Sequence, residues 1–196
     1  MRYSWGETKK NQYGVYTLKI KDRIVLGTIA GLAGGIVKTG IDEASLRMGI
    51  SQRPFREAAS GVWVAKKRDA KNSKGQVLGS LFDFGMSALG GIGITYLLSK
   101  TGRDHSVAKG TIFGIAMGSG ITSALSVLSA NRVKPKGASS NLSYMVAHAA
   151  YGIAASTIVA KLGDPSLFDV EPINDYLRPT EPTTEELQDK EHGYRY

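Results

Sequence analysis

Cysteine is missing from all 196 residues, so disulfides, thiolate catalysis and Cys-based metal sites are excluded. Histidine is scarce. His105, His148 and His192 are the three present, and they lack the spacing of a metal-binding motif. There is no Walker-type loop, no G-x-S-x-G elbow and no dinucleotide fingerprint. The glycines do not replace them, because they recur at a spacing of four inside apolar stretches. No catalysis, cofactor or metal is therefore expected. A secretory leader is not expected either. The first apolar run begins only at Ile24, with no small-residue cleavage site behind it, and reads as a retained helix.

The mean hydropathy of -0.14 looks too polar for a membrane protein, but the polarity is concentrated. Residues 1–23, 38–76 and 164–196 carry most of the charge, and between them lie nearly uncharged windows at 77–99, 107–129 and 142–160. A fourth window, 24–37, is shorter. Much of the glycine, 24 residues in all, falls in these windows. Glycine costs a water-exposed helix about 1 kcal/mol relative to alanine, whereas in lipid small residues let helices approach closely. The pattern predicts an all-α fold, a four-helix polytopic membrane bundle with spans at about 24–45, 77–99, 107–129 and 142–162. A basic aromatic arm (1–23) precedes this domain (24–163), and an acidic, proline-containing tail (164–196) follows it. The tail holds four of the six prolines and nine of the 17 Asp/Glu, and reads as extended or disordered, or as draped on a partner. In the arm, Tyr13 to Ile20 partly alternates and suggests a short extended segment; an interfacial arm, with Tyr and Trp in the headgroup zone, is the equal alternative.

The first span is the shortest. Fourteen apolar residues reach only roughly 21 Å, against a hydrocarbon core of about 30 Å. It crosses only if it runs on through Lys38, with that ammonium paired or snorkelling. The connection 46–76 is basic. Ser51 is a candidate cap for a short helix with Pro54 in its first turn. Phe55, Val62, Trp63 and Val64 give it an apolar side, and Lys66, Lys67 and Arg68 follow at once. This is an amphipathic segment suited to anionic lipid at the membrane surface; a solvated loop is the plainer alternative. Asn141 or Ser140 is the expected cap of the last helix, and Gly163 and Pro165 its stop.

Gly27, Gly31 and Gly35 form a ladder on the first span, and Gly110, Gly114 and Gly118 form another on the third. Each trio lies on one helix stripe and predicts close packing, either within the chain or as an oligomerisation face. Gly152 continues the theme on the fourth span. Residues Gly27 to Ala33 match Gly110 to Ala116, and Gly90, Thr95 and Lys100 align loosely with Gly152, Thr157 and Lys161. Two readings follow: two helical hairpins of the same orientation, related by duplication, or a chance likeness between Gly/Ala/Ile-rich helices.

Ionisable groups inside spans are costly and face the bundle interior or water. With four spans, loops 46–76 and 130–141 share one side. Asp83 and His148 lie equally far into helices entering from that side, and Lys38 leaves the first helix toward it. Lys38, Asp83 and His148 are thus expected to form one polar cluster. Tyr151, one turn from His148 on the same face, is expected to join it. A structural network, a proton or ion path and no contact at all are the competing readings. Lys109 is expected to snorkel on the opposite side.

Three stretches carry a resemblance to the YqhR/YagU-like small bacterial membrane proteins of unknown function. They are Gly34-Gly35-Ile36-Val37-Lys38, Arg53-Pro54 after the first helix, and His148-Ala149-Ala150-Tyr151-Gly152 in the last. The match covers about residues 20–163, with a single proline where the family pattern has a double proline-arginine element. It implies a four-span fold and no chemistry, and a multi-pass place in a bacterial cytoplasmic membrane. The eleven Lys/Arg of the two connections favour their placement in the cytoplasm. The expected partners are the lipid bilayer and either further copies of the chain or a larger membrane complex; nucleic acid is not expected. The functional readings are a structural or assembly subunit, a small transporter or channel using Asp83 and His148, and a self-assembling helical coat or scaffold.

Overall fold

The computed structural model describes residues 7–10 and 16–168. The aromatics Tyr3, Trp5 and Tyr13 of the arm, and the tail beyond Phe168, lie outside the described residues. Two short strands, β1 (Glu7–Lys10) and β2 (Tyr16–Lys19), pair antiparallel. Five α-helices follow them: α1 (Arg23–Arg47), α2 (Phe55–Ser60), α3 (Ser73–Thr101), α4 (Ser106–Val127) and α5 (Ala138–Leu162).

The four long helices hold 25, 29, 22 and 25 residues. At about 1.5 Å per residue even the shortest reaches roughly 33 Å, enough for the hydrocarbon core. All four are long and apolar enough to cross a membrane. Their large apolar side chains point outward as well as inward: Ile36, Leu81, Ile112 and Leu142 are all exposed. A helix that is apolar all round suits lipid.

The helix starts follow local chemistry. Asp22 Oδ1 accepts the amides of Ile24 at 2.8 Å and Val25 at 2.9 Å. Asn72 Oδ1 accepts that of Gly75 at 2.8 Å. At the start of α5 neither Asn141 nor Ser140 is the cap. The helix begins earlier, at Ala138, with Gly137 before it, and Ser140 Oγ accepts the Gln52 amide at 3.0 Å instead. Gly102, with φ of 81°, and His105, with φ of 49°, make the tight turn between α3 and α4.

α1 packs against α3 and α5, and α4 packs mainly on α5. The two hairpins α1–α3 and α4–α5 therefore meet along α1 and α5. At the end holding the N-terminus of α1, Ile20, Leu26, Leu98, Val159, Leu167 and Phe168 form a core. The Ile20 amide donates to the Leu162 carbonyl at 2.9 Å, and Arg23 donates to the Leu167 carbonyl at 2.9 Å. The first tail residues are therefore folded: Pro165–Phe168 make a 3-10 turn with Leu167 and Phe168 buried. The helical unit reaches past the boundary at 163 because those two side chains complete the core. Lys109 does not snorkel. It donates to Asp104 Oδ1 at 2.9 Å and to the Thr101 carbonyl at 2.7 Å, tying α4 to the end of α3.

Candidate functional site

The glycine ladders position the site. On α1, Gly27 and Gly31 face α3. A Cβ on Gly27 would stand 2.5 Å from Ile92 Cα, and one on Gly31 3.0 Å from Ala88 Cα. Gly35 faces Ser87 and Phe84. On α4, Gly110, Gly114 and Gly118 face α5, where they meet Ser156, Gly152 and His148. Gly152 in turn lies on Gly110 and Gly114, with 3.2 Å from its Cβ position to Gly114 Cα. The glycine answering Gly152 in the other hairpin is Gly91, which lies on Gly27 and Gly31. The correspondence between α3 and α5 is thus one residue off the Gly90/Thr95 alignment: Gly91, Thr95 and Lys100 answer Gly152, Ser156 and Lys161.

Sequence reasoning missed a second set. Gly34 faces Tyr151 of α5, with 2.9 Å from its Cβ position to Tyr151 Cδ2. Gly75 and Gly79 let the 46–76 connection lie on α3, with 2.8 Å from the Gly79 Cβ position to the Arg56 carbonyl carbon. Their spacing of four was a visible signal.

Halfway along the helices the polar residues converge. Asp83 lies ten residues beyond Ser73 at the start of α3, and His148 ten beyond Ala138 at the start of α5. Both are roughly 15 Å into their helices. Lys38 Nζ donates to Asp83 Oδ1 in a buried ion pair. This pairing lets α1 continue through Lys38 to Arg47. Ser87 Oγ donates to the Asp83 carbonyl at 2.8 Å, and Tyr151 OH donates to the Ser87 carbonyl at 2.7 Å. His148 is adjacent and bonds elsewhere: its Nδ1–H donates to the Tyr144 carbonyl at 2.7 Å. A carbonyl only accepts, so that nitrogen carries the proton. The other ring nitrogen, Nε2, is buried without a hydrogen-bond partner.

Phe55 joins the cluster from α2. Its ring lies edge-on to Tyr144 at 5.2 Å and to His148 at 5.1 Å between centroids, and Lys38 Nζ stands 5.1 Å from its centre. The ammonium therefore has a carboxylate on one side and an aromatic ring on another. Ser51 does not cap α2. Its hydroxyl donates to the Arg53 carbonyl at 2.7 Å, and the cap comes from α1, where Asp42 Oδ2 accepts the Phe55 amide at 2.7 Å. Sequence patterns cannot identify a cap supplied by another helix. Asn131 closes the other end of α2 by donating to the Ala58 carbonyl at 3.3 Å. Of the surface residues, Trp63, Lys66, Lys67 and Arg68 are exposed while Phe55, Ala58 and Ala59 are buried, so the connection is two-sided.

Asp42→Ala is expected to release α2 at a cost of about 1 kcal/mol, the usual loss for a cap. Hydrogen exchange at the amides of 55–61 should rise at least fivefold, with the long helices unchanged. Asp42→Asn keeps an acceptor and should leave exchange near wild type. Equal effects of the two variants would refute the cross-helix cap.

Among the described residues, no group of His, Asp and Glu is arranged to hold a metal ion. The four long apolar helices fit a multi-pass helical membrane protein. No known family model, curated protein or solved structure matches the chain.

Proposed function

We propose that the chain is a structural or assembly subunit of a membrane complex and performs no catalysis. One observation carries this reading: the buried polar groups are used to tie one element to another. Lys38 and Asp83 join α1 to α3, Tyr151 and Ser87 join α5 to α3, and Asp42 joins α1 to α2. Such groups hold helices in register. The outward apolar faces favour this over a soluble coat or scaffold. The exposed Trp63, Lys66, Lys67 and Arg68 suit anionic headgroups, and the glycine ladders are spent on packing within the chain. The resemblance to YqhR/YagU-like proteins agrees with a four-span unit and adds no chemistry.

The second reading, a small transporter or channel, is favoured by the unpartnered His148 Nε2 beside the Lys38–Asp83 pair. Liposomes separate the two. The purified chain is expected to carry protons and monovalent ions no faster than empty vesicles, and to migrate with further copies or other subunits when extracted in mild detergent. Flux that is abolished by Asp83→Asn and by His148→Ala would overturn the structural role in favour of transport.

A further inference from the structure

Between the C-terminal part of α1 and the N-terminal part of α5 runs an open groove of about 490 Å3. This volume falls within the range of small-ligand sites. Its apolar wall residues are Ile41, Ala44, Met48, Ile50, Leu142 and Val146, and three serines complete the lining. No residue of α3 or α4 contributes. None of Lys38, Asp83, His148 and Tyr151 lines it, and the exposed Trp63 patch lies elsewhere, beside Phe82 of α3. One polar atom in the wall is unusual: Ser143 is only 6% exposed, and its Oγ finds no hydrogen-bond partner. A buried hydroxyl in an apolar wall is costly unless something bonds it.

The charge around the outer end is mostly positive. Residues 42–57 and 132–146, the two segments that meet there, hold Arg47, Arg53, Arg56, Arg132, Lys134 and Lys136 against Asp42, Glu43 and Glu57, and Asp42 is engaged by the Phe55 amide. They are held together by the Gln52 amide on Ser140 Oγ at 3.0 Å and by Tyr144 OH on the Arg53 carbonyl at 2.8 Å. The flanking Glu43 is shared by two guanidiniums, Arg47 at 3.3 Å and Arg56 at 3.2 Å, so it neutralises only one of them. An apolar slot of this size, a buried hydroxyl in its wall and a cationic rim at the helix ends match the three parts of a phospholipid. These are the acyl chain, the ester oxygens and the phosphate.

We propose that this groove binds one anionic phospholipid, with an acyl chain along α1 and α5, an ester oxygen accepting from Ser143 Oγ and the phosphate at the Arg47, Arg53 and Lys136 end. The inference rests on the reading of the chain as a membrane protein. It does not depend on the structural role.

The test uses the full chain in detergent, delipidated, then offered equimolar phosphatidylglycerol and phosphatidylcholine and weighed intact by native mass spectrometry. One phosphatidylglycerol per chain is expected, preferred at least fivefold. Ala44→Trp, which fills the groove from an exposed position, should cut retention at least fivefold, and Val146→Trp should repeat the effect. Arg47→Gln with Lys136→Gln should abolish the preference for the anionic lipid. Unchanged retention in both tryptophan variants overturns the site. So does loss of a dimer in those variants with lipid binding intact, since a second copy would then occupy the groove. Failure of the wild type to retain lipid while it still needs detergent for extraction overturns the lipid site alone; extraction without detergent overturns the membrane reading itself.

Discussion

Asp83→Asn is expected to lower the melting temperature of the detergent-solubilised protein by roughly 10 °C. The substitution is nearly isosteric, so the loss is electrostatic. It leaves the Lys38 ammonium buried between the helices without its carboxylate partner. Removing one partner of a buried pair costs about 3–5 kcal/mol, far more than the pair itself contributes over an apolar replacement. For a chain of this length each kcal/mol corresponds to roughly 2–4 °C. The double variant Lys38→Met with Asp83→Leu removes both charges and should recover most of the loss. Circular-dichroism melts of the three proteins decide the matter. If the double variant melts below Asp83→Asn, the pair contributes more than mutual neutralisation. If Asp83→Asn melts like wild type, the pair does not hold α1 to α3.

The second large effect is a change of sign among glycines. Gly31→Ala and Gly91→Ala should each separate α1 from α3. The Cβ of Gly91 would stand 2.5 Å from Gly31 Cα, closer than atoms of two helix backbones can sit. Overpacking of this kind typically costs 1–3 kcal/mol. Gly114→Ala should do the same to α4 and α5, since its Cβ would lie 3.1 Å from the Gly152 amide nitrogen and press on the His148 carbonyl. Gly85 and Gly120 also lie mid-helix, yet nothing stands within 4 Å of their Cβ positions. Their alanine variants should be neutral or slightly stabilising, because alanine is the better helix former by about 1 kcal/mol. Melting curves of the five variants test the contrast. Uniform behaviour of all five would mean that helix propensity, not interhelical approach, governs these positions.

The helices and the glycine stripes were legible because their signals are local. Twenty-odd residues without charge are visible in a window, and so is a glycine every fourth position. Counting residues into two helices that enter from one side was enough to set Asp83 and His148 level. It also brought Lys38 to the same layer, and the pairing of Lys38 with Asp83 resolved the apparent shortness of the first span. His148 shows where counting ends. Depth placed it beside the pair, but whether its ring turned to Asp83 or to the Tyr144 carbonyl depended on rotation about the helix axis and on Phe55 arriving from another element.

By itself, then, the sequence determined the number of long apolar helices, the shared direction of those carrying Asp83 and His148, the faces carrying glycine and the depth of the charged residues. All of these follow from periodicity and length along one chain. Only the tertiary structure decided that Asp42 of α1 caps α2, that Gly34 lies against Tyr151, that Leu167 and Phe168 return to the core, and that α1 and α5 leave a groove with Ser143 in its wall. Each of these depends on the distance between residues far apart in the chain, which side-chain packing sets and no local pattern encodes.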